Sequence, residues 1–229
     1  MRQKPIRIEM RFSRYITHAF TTLLLFTSAN LIAAAQEQVL EENPQVLVRT
    51  TLGDFTLELD LVNAPITVAN FLAYVDKDGF RETIWHRVVE GFMIQGGGHR
   101  VNMTEIDSNA EIENEADNGL KNVTGTVAMA RQDKIDSASR QFFVNTNNNV
   151  FLDHTAKSCT REDEAKYAEA LQRGLYKPKT CKSFGYAVFG KVVGGMEIVR
   201  RIEFMPVTKR GGHENVPIDP VMILSIERI

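Results

Sequence analysis

From residue 46 onward, apolar residues alternate with polar ones in short runs. Val46–Thr51 and Phe55–Leu61 have the period of strands half-buried against a core, and Leu52-Gly53-Asp54 between them is a hairpin signal. The period changes at Pro65, which opens a helix whose apolar face is Val68, Phe71, Leu72 and Val75, at i, i+3, i+4 and i+7. That helix stops before Gly79. Strand spacing returns over 84–89, 92–95, 124–130, 141–145 and 187–193, a second helix covers Met196–Phe204, and Val221–Ile226 makes a final strand. Many short strands with two helices outside one long interruption point to a β-barrel capped by helices.

The first 35 residues break this pattern. Arg2, Lys4, Arg7, Arg11 and Arg14 against Glu9 make a basic start, followed by an apolar run from Ala19 to Ile32 and then Ala33-Ala34-Ala35. Basic, apolar and small-x-small segments in that order are the pattern of a secretory signal, with cleavage expected between Ala35 and Gln36. The apolar run contains Thr21, Thr22, Thr27, Ser28 and Asn30 and falls short of the ~20 residues a membrane span needs, so no stable membrane insertion is expected after cleavage. Residues 36–45 read as a mobile acidic lead, and 46–229 as one domain. The signal carries a net +4, whose removal from −2 leaves −6; an acidic chain with scattered charge offers no footprint for nucleic acid.

The long interruption, about 155–183, contains the only two cysteines, Cys159 and Cys181. Thr160 and Asp163 resemble a capping box, Glu162–Lys166 and Glu169–Arg173 are i, i+4 ion pairs, and Gly174 is placed to end the helix. Tyr167, Ala170 and Leu171 line one side. In an oxidising compartment the two cysteines are expected to pair and staple a helical flap, with two free thiols or a metal pair as the alternatives.

Chemistry concentrates in Trp85–Gly98, WHRVVEGFMIQGGG, read as two strands hinged at Gly91. On the first, Trp85, Arg87 and Val89 are expected on one face, and Phe92, Ile94 and Gly96 on one face of the second. A fixed guanidinium beside Phe92, Met93 and Gln95 suits a small apolar ring next to an amide, which describes proline in a peptide. There is no GxSxG elbow, HExxH or phosphate loop, and His86, His99, His154 and His213 are scattered without ligand spacing, so neither metal nor cofactor is expected.

This stretch resembles the signature of the cyclophilins, the peptidyl-prolyl cis-trans isomerases whose motif runs FHR-V--GFM-QGG. Further matches follow in the family's order: GTVAMAR (Gly125–Arg131), QFFVNT (Gln141–Thr146), FLDH (Phe151–His154) and YAVFGKVVGGMEIV (Tyr186–Val199). The resemblance implies a closed eight-stranded antiparallel β-barrel with a helix at each end. It also implies Arg87 as the catalytic residue, a proline pocket from Phe92, Met93, Phe143 and Leu152, and substrate-backbone contacts from Gln95 and Gln141. Met129 and Ala130 fall on the strand edge beside the residue before proline. Phe142, on the opposite face of its strand from Phe143, reads as core.

Three positions depart from the common pattern. Arg131 replaces an asparagine, Phe151 replaces the tryptophan that hydrogen-bonds cyclosporin in many eukaryotic members, and Tyr186 replaces a pocket histidine. Phe151 and Tyr186 at the rim together resemble the bacterial, periplasmic branch. The function expected is therefore a monomeric periplasmic isomerase of X-Pro bonds in proline-containing unfolded or partly folded polypeptides. The competing reading is a barrel that holds such segments without turning them over.

Overall fold

The computed structural model describes residues 42–174 and 181–229. The signal expected over 1–35 and most of the lead lie outside the described residues. The unit described here runs from Asn43 to Ile229. Its strands are β1 (Gln45–Thr50), β2 (Gly53–Leu59), β3 (Thr83–Ile84), β4 (Arg87–Val89), β5 (Met93–Gly96), β6 (Thr126–Met129), β7 (Phe142–Asn145), β8 (Val188–Gly194), β9 (Val207–Arg210), β10 (His213–Pro217) and β11 (Met222–Arg228). Three α-helices join them among the described residues: α1 (Pro65–Val75), α2 (Arg161–Gln172) in the insertion, and α3 (Met196–Glu203).

Nine strands form one curled antiparallel sheet in the order β3-β11-β1-β2-β8-β6-β7-β5-β4, and β9 and β10 make a separate ribbon. This differs from the closed eight-stranded barrel: the ladder is open between β3 and β4. The cause is a corner. The run expected as one strand over 84–89 breaks at Trp85-His86, where the Ile84 and Trp85 N–H groups turn to the carbonyls of His99 and Val221, at 2.9 and 3.0 Å. The two ends of the sheet are thus joined covalently by two residues rather than by a ladder. The same corner takes Trp85 off the face of Arg87 and buries it completely in the core. On β5, Ile94 and Gly96 share the core face as expected and Gln95 lies on the opposite one, opposite Arg87, but Phe92 precedes the strand and joins the apolar cluster on the other side of the sheet.

The main core fills the inside of the curl. Val48, Phe55, Leu57, Ile94, Val127 and Phe189 come from the strands, Val68, Phe71, Leu72 and Val75 from α1, and Ile198, Val199 and Ile202 from α3. Phe142 sits at its centre, edge-on to Phe71, Phe80 and Trp85 at 5.3–5.4 Å, a geometry that aromatic quadrupoles favour. The periodicity of α1 places all four expected residues inside. Its N-terminus, where Ala64 supplies no cap, is closed instead by Glu115, whose carboxylate accepts from the N–H groups of Ile66 and Thr67 at 3.0 and 2.8 Å. Such a cap is worth ~1 kcal/mol.

The insertion has a small core of its own. Cys159 and Cys181 form a disulfide that lies with Ala116, Ile135, Phe184 and Ala187, and Tyr167 packs against them. The capping box of Thr160 and Asp163 is present, but no residue of α2 is buried and Leu171 is exposed. Glu169–Arg173 pairs as expected, whereas Lys166 turns to Asp163 rather than Glu162 because the capping carboxylate is nearer. Arg161 ties the helix to the body through Asp136 and Glu113, at 3.1 and 3.2 Å, with its guanidinium over the Phe184 ring.

Candidate active site

Register brings the site together. Across neighbouring strands, Arg87 lies opposite Gln95, Gln95 opposite Phe143, Phe143 opposite Ala128, and Ala128 opposite Val188. Cross-strand partners share a face, so this row forms a continuous strip on the side of the sheet away from the main core. Two residues along β5, Met93 faces the same way. Met93, Ala128, Phe143, Leu152 and Val188 form a buried apolar cluster, with Phe92, Ala130 and Tyr186 half-buried at its margin.

Arg87 stands at one end of that strip. Its Nη1 donates to Gln95 Oε1 at 3.3 Å, and Gln95 Nε2 donates to Gln141 Oε1 at 3.0 Å. The guanidinium carbon is 5.8 Å from the centre of the Phe92 ring. Arg87 makes no salt bridge and no other side-chain hydrogen bond among the described residues. Burial pulls its pKa below the ordinary arginine value, against a smaller upward pull from Tyr186, and an arginine remains charged regardless. The turn joining β4 to β5 is fixed from behind: the Gly91 N–H donates to the buried carboxylate of Glu203 at 2.9 Å, and Arg200 Nη1 donates to the same carboxylate at 2.7 Å.

The rim is aromatic. Phe151 is 72 % exposed and stacks on Phe92 with centroids 5.6 Å apart. Tyr186 stands edge-on to Phe143 at 5.9 Å. Met129, by contrast, turns into the main core beside Phe142, on the opposite face from Ala128 and Ala130. A separate cavity of about 280 Å³, lined by Asn43, Glu58, Asp60 and Lys191 among others, does not include Arg87 or either glutamine.

One group was not visible in the spacing of the sequence. His86, His99 and His213 come from three separate segments, yet their rings meet at 4.4, 4.6 and 6.1 Å between centroids. His86 and His99 are buried, each with an Nδ1 that has no hydrogen-bond partner among the described residues. Burial first, then the neighbouring His99 and His213, hold the pKa of His86 down at about 3, against opposing pulls from the Ile84 backbone and the Gln141 side chain. No group of three His, Cys, Asp or Glu among the described residues is arranged to hold a metal ion. No described helix is long and apolar enough to cross a membrane.

Residues 45–228 match the family model described as cyclophilin type peptidyl-prolyl cis-trans isomerase/CLD. The chain is 38 % identical over 217 residues to peptidyl-prolyl cis-trans isomerase A of Dickeya dadantii (strain 3937), covering 95 % of this chain and 98 % of that protein. It is 39 % identical over 181 residues to peptidyl-prolyl cis-trans isomerase B of Escherichia coli (strain K12), covering 79 % and 97 %. A crystal structure of a Cryptosporidium parvum cyclophilin type peptidyl-prolyl cis-trans isomerase has the same fold, with a TM-score of 0.60 at 23 % identity over 82 % of this chain and 98 % of that one. A second structure of that protein, in the presence of the dipeptide Ala-Pro, superposes with a TM-score of 0.58 at 24 % identity over 80 % and 97 %. With the family model spanning almost the whole described unit, and relatives of one activity aligned along nearly their full lengths, this chain belongs to the cyclophilin-type peptidyl-prolyl cis-trans isomerases and is an enzyme of that activity.

Proposed function

We propose that this isomerase is exported and turns X-Pro bonds in unfolded or partly folded periplasmic polypeptides, assisting their folding as a monomer, with Arg87 as the catalytic residue. Rotation about an X-Pro bond meets a barrier of ~18–20 kcal/mol because the amide has partial double-bond character. At the twisted transition state that resonance is lost and the prolyl nitrogen carries a lone pair. A donor placed at that nitrogen stabilises the transition state without stabilising the planar ground state, as rate acceleration requires.

The observation that carries this reading is Arg87 itself. Among the described residues, this charged fork stands beside an apolar floor with only a neutral amide as hydrogen-bond partner, and no carboxylate of those residues pairs with it. Phe92, Met93, Phe143 and Leu152 would receive the proline ring, Gln95 and Gln141 the flanking peptide groups, and Phe151 and Tyr186 the rim contacts. The Met129–Ala130 segment would lie along the preceding residue. The structural neighbour studied with Ala-Pro supports an X-Pro ligand. The export pattern of residues 1–35 and the Cys159–Cys181 bond support an oxidising compartment.

The test is a protease-coupled assay on a short X-Pro peptide. Arg87→Ala should lower kcat/KM by about 10²–10³-fold, the usual loss on removing one transition-state donor, while the peptide still binds. An unchanged rate would remove Arg87 from the mechanism.

A further inference from the structure

Arg131 lies just beyond β6, next to the pocket edge at Ala130, and makes no hydrogen bond with Gln95 or Gln141. Its guanidinium turns the other way and gathers backbone carbonyls from two loops. Nε donates to Gly185 O at 2.9 Å, and Nη2 to Lys182 O at 2.8 Å and Cys181 O at 3.2 Å. Nη1 donates to the carbonyls of Gln132 at 2.9 Å, Lys134 at 3.3 Å and Asp133 at 3.5 Å. The flat face of the same group covers the Tyr186 ring at 4.8 Å, and that ring stands edge-on to Phe143 in the pocket floor. One side chain thus touches the disulfide residue Cys181, the segment returning from the insertion and the aromatic wall of the pocket.

We propose that Arg131 is a positioning residue: it transmits the fastening of the Cys159–Cys181 insertion to Tyr186 and so sets the shape of the substrate pocket. The inference rests on the X-Pro isomerase reading of the site. Two features make arginine the only residue for the task. A planar fork with five N–H groups can hold carbonyls on several sides at once, and its face stacks on an aromatic ring. A lysine ammonium is a point charge on a flexible stem and does neither together. The bond at Cys181 O also means that the position of the insertion's return reaches the pocket through this guanidinium. Tyr186 is tied separately to the rim by its N–H to Leu152 O, at 3.0 Å, so losing Arg131 frees the ring while leaving the backbone attached.

The test compares KM with kcat for a short X-Pro peptide. Arg131→Ala should raise KM about tenfold, the order expected for one partly desolvated cation–aromatic contact, with kcat little changed because Arg87 is untouched. Arg131→Lys should fail to restore KM. The pair Cys159→Ser with Cys181→Ser should raise KM in the parent enzyme but add little in the Arg131→Ala background, since both act through one contact. Thermal unfolding of each variant separates this from loss of fold. A lowered Tm with KM within twofold of the parent makes Arg131 merely structural and overturns the inference. So does full additivity of the arginine and cysteine changes. If Arg131→Ala does not fold, the cysteine pair alone decides, and an unchanged KM there overturns the inference. A parent enzyme inactive on X-Pro peptides would instead overturn the isomerase reading beneath it.

Discussion

At the scale of single residues, the site is held by what lies behind it. A Cβ on Gly98 would stand 2.5 Å from the Cγ and Cδ of Gln141. Those atoms belong to a flexible side chain, so Gly98→Ala should displace Gln141 at little cost to folding and release Gln95 from its partner. The expected outcome is a loss of about fivefold in kcat/KM with Tm nearly unchanged, matching Gln141→Ala, since one net hydrogen bond is worth ~1 kcal/mol. A large fall in Tm would show that the backbone, not Gln141, gives way. His86 makes a second prediction, through pH. Its pKa falls from an ordinary 6.5 to about 3 in the folded protein. Below pH 6.5 the unfolded chain therefore binds a proton that the folded protein refuses. Stability from the neutral ring is complete above that pH and drains away as pH falls toward 3. Between pH 7 and pH 5 the loss should be about 2 kcal/mol, read as a drop in urea midpoint. His86→Gln should flatten that part of the profile, and an identical slope in both proteins would refute the assignment.

At the scale of elements, the insertion is the weakest unit. An isolated twelve-residue helix is marginal in water, and α2 buries none of its residues. Its order depends on the disulfide, the Arg161 contacts and the hydrogen bond from the Ile135 N–H to Glu164 Oε1 at 2.7 Å. Replacing both cysteines by serine should cost up to about 3 kcal/mol. Hydrogen exchange should show protection lost over Arg161–Gln172 while the β1–β11 ladder keeps its own. Equal loss in both would mean that they unfold as one unit. The elements also show where periodicity is informative. It located α1, α3 and most strands because each buries one face, and the capping box of α2 was readable because its contacts are local. It missed the corner at Trp85-His86, since alternation says nothing about where a strand leaves its sheet. The β9–β10 ribbon was missed as well: β9 buries no residue and β10 buries only the adjacent Val216 and Pro217 at its end, so no alternating apolar face marks it. The histidine trio and the carbonyl clamp of Arg131 join segments far apart in sequence, and no local pattern reports them.

At the scale of the whole molecule, the expected export leaves a testable mark: N-terminal sequencing of the exported protein should begin at Gln36, and a mature protein starting at Met1 would refute the signal. The order of the sheet has a further consequence, for the birth of the enzyme. β1 pairs on one side with β2, its immediate successor, and on the other with β11, where Val46 meets Arg228. Contacts about 180 residues apart form late, because the intervening chain must first be brought together. A nascent chain emerging N-terminus first therefore shows β1 as a bare strand edge until almost its last residue has appeared. Chains halted before Met222 should remain open to protease however far the hairpin and helices have advanced. An isomerase proposed to act on unfinished polypeptides is itself one until the end of its own synthesis.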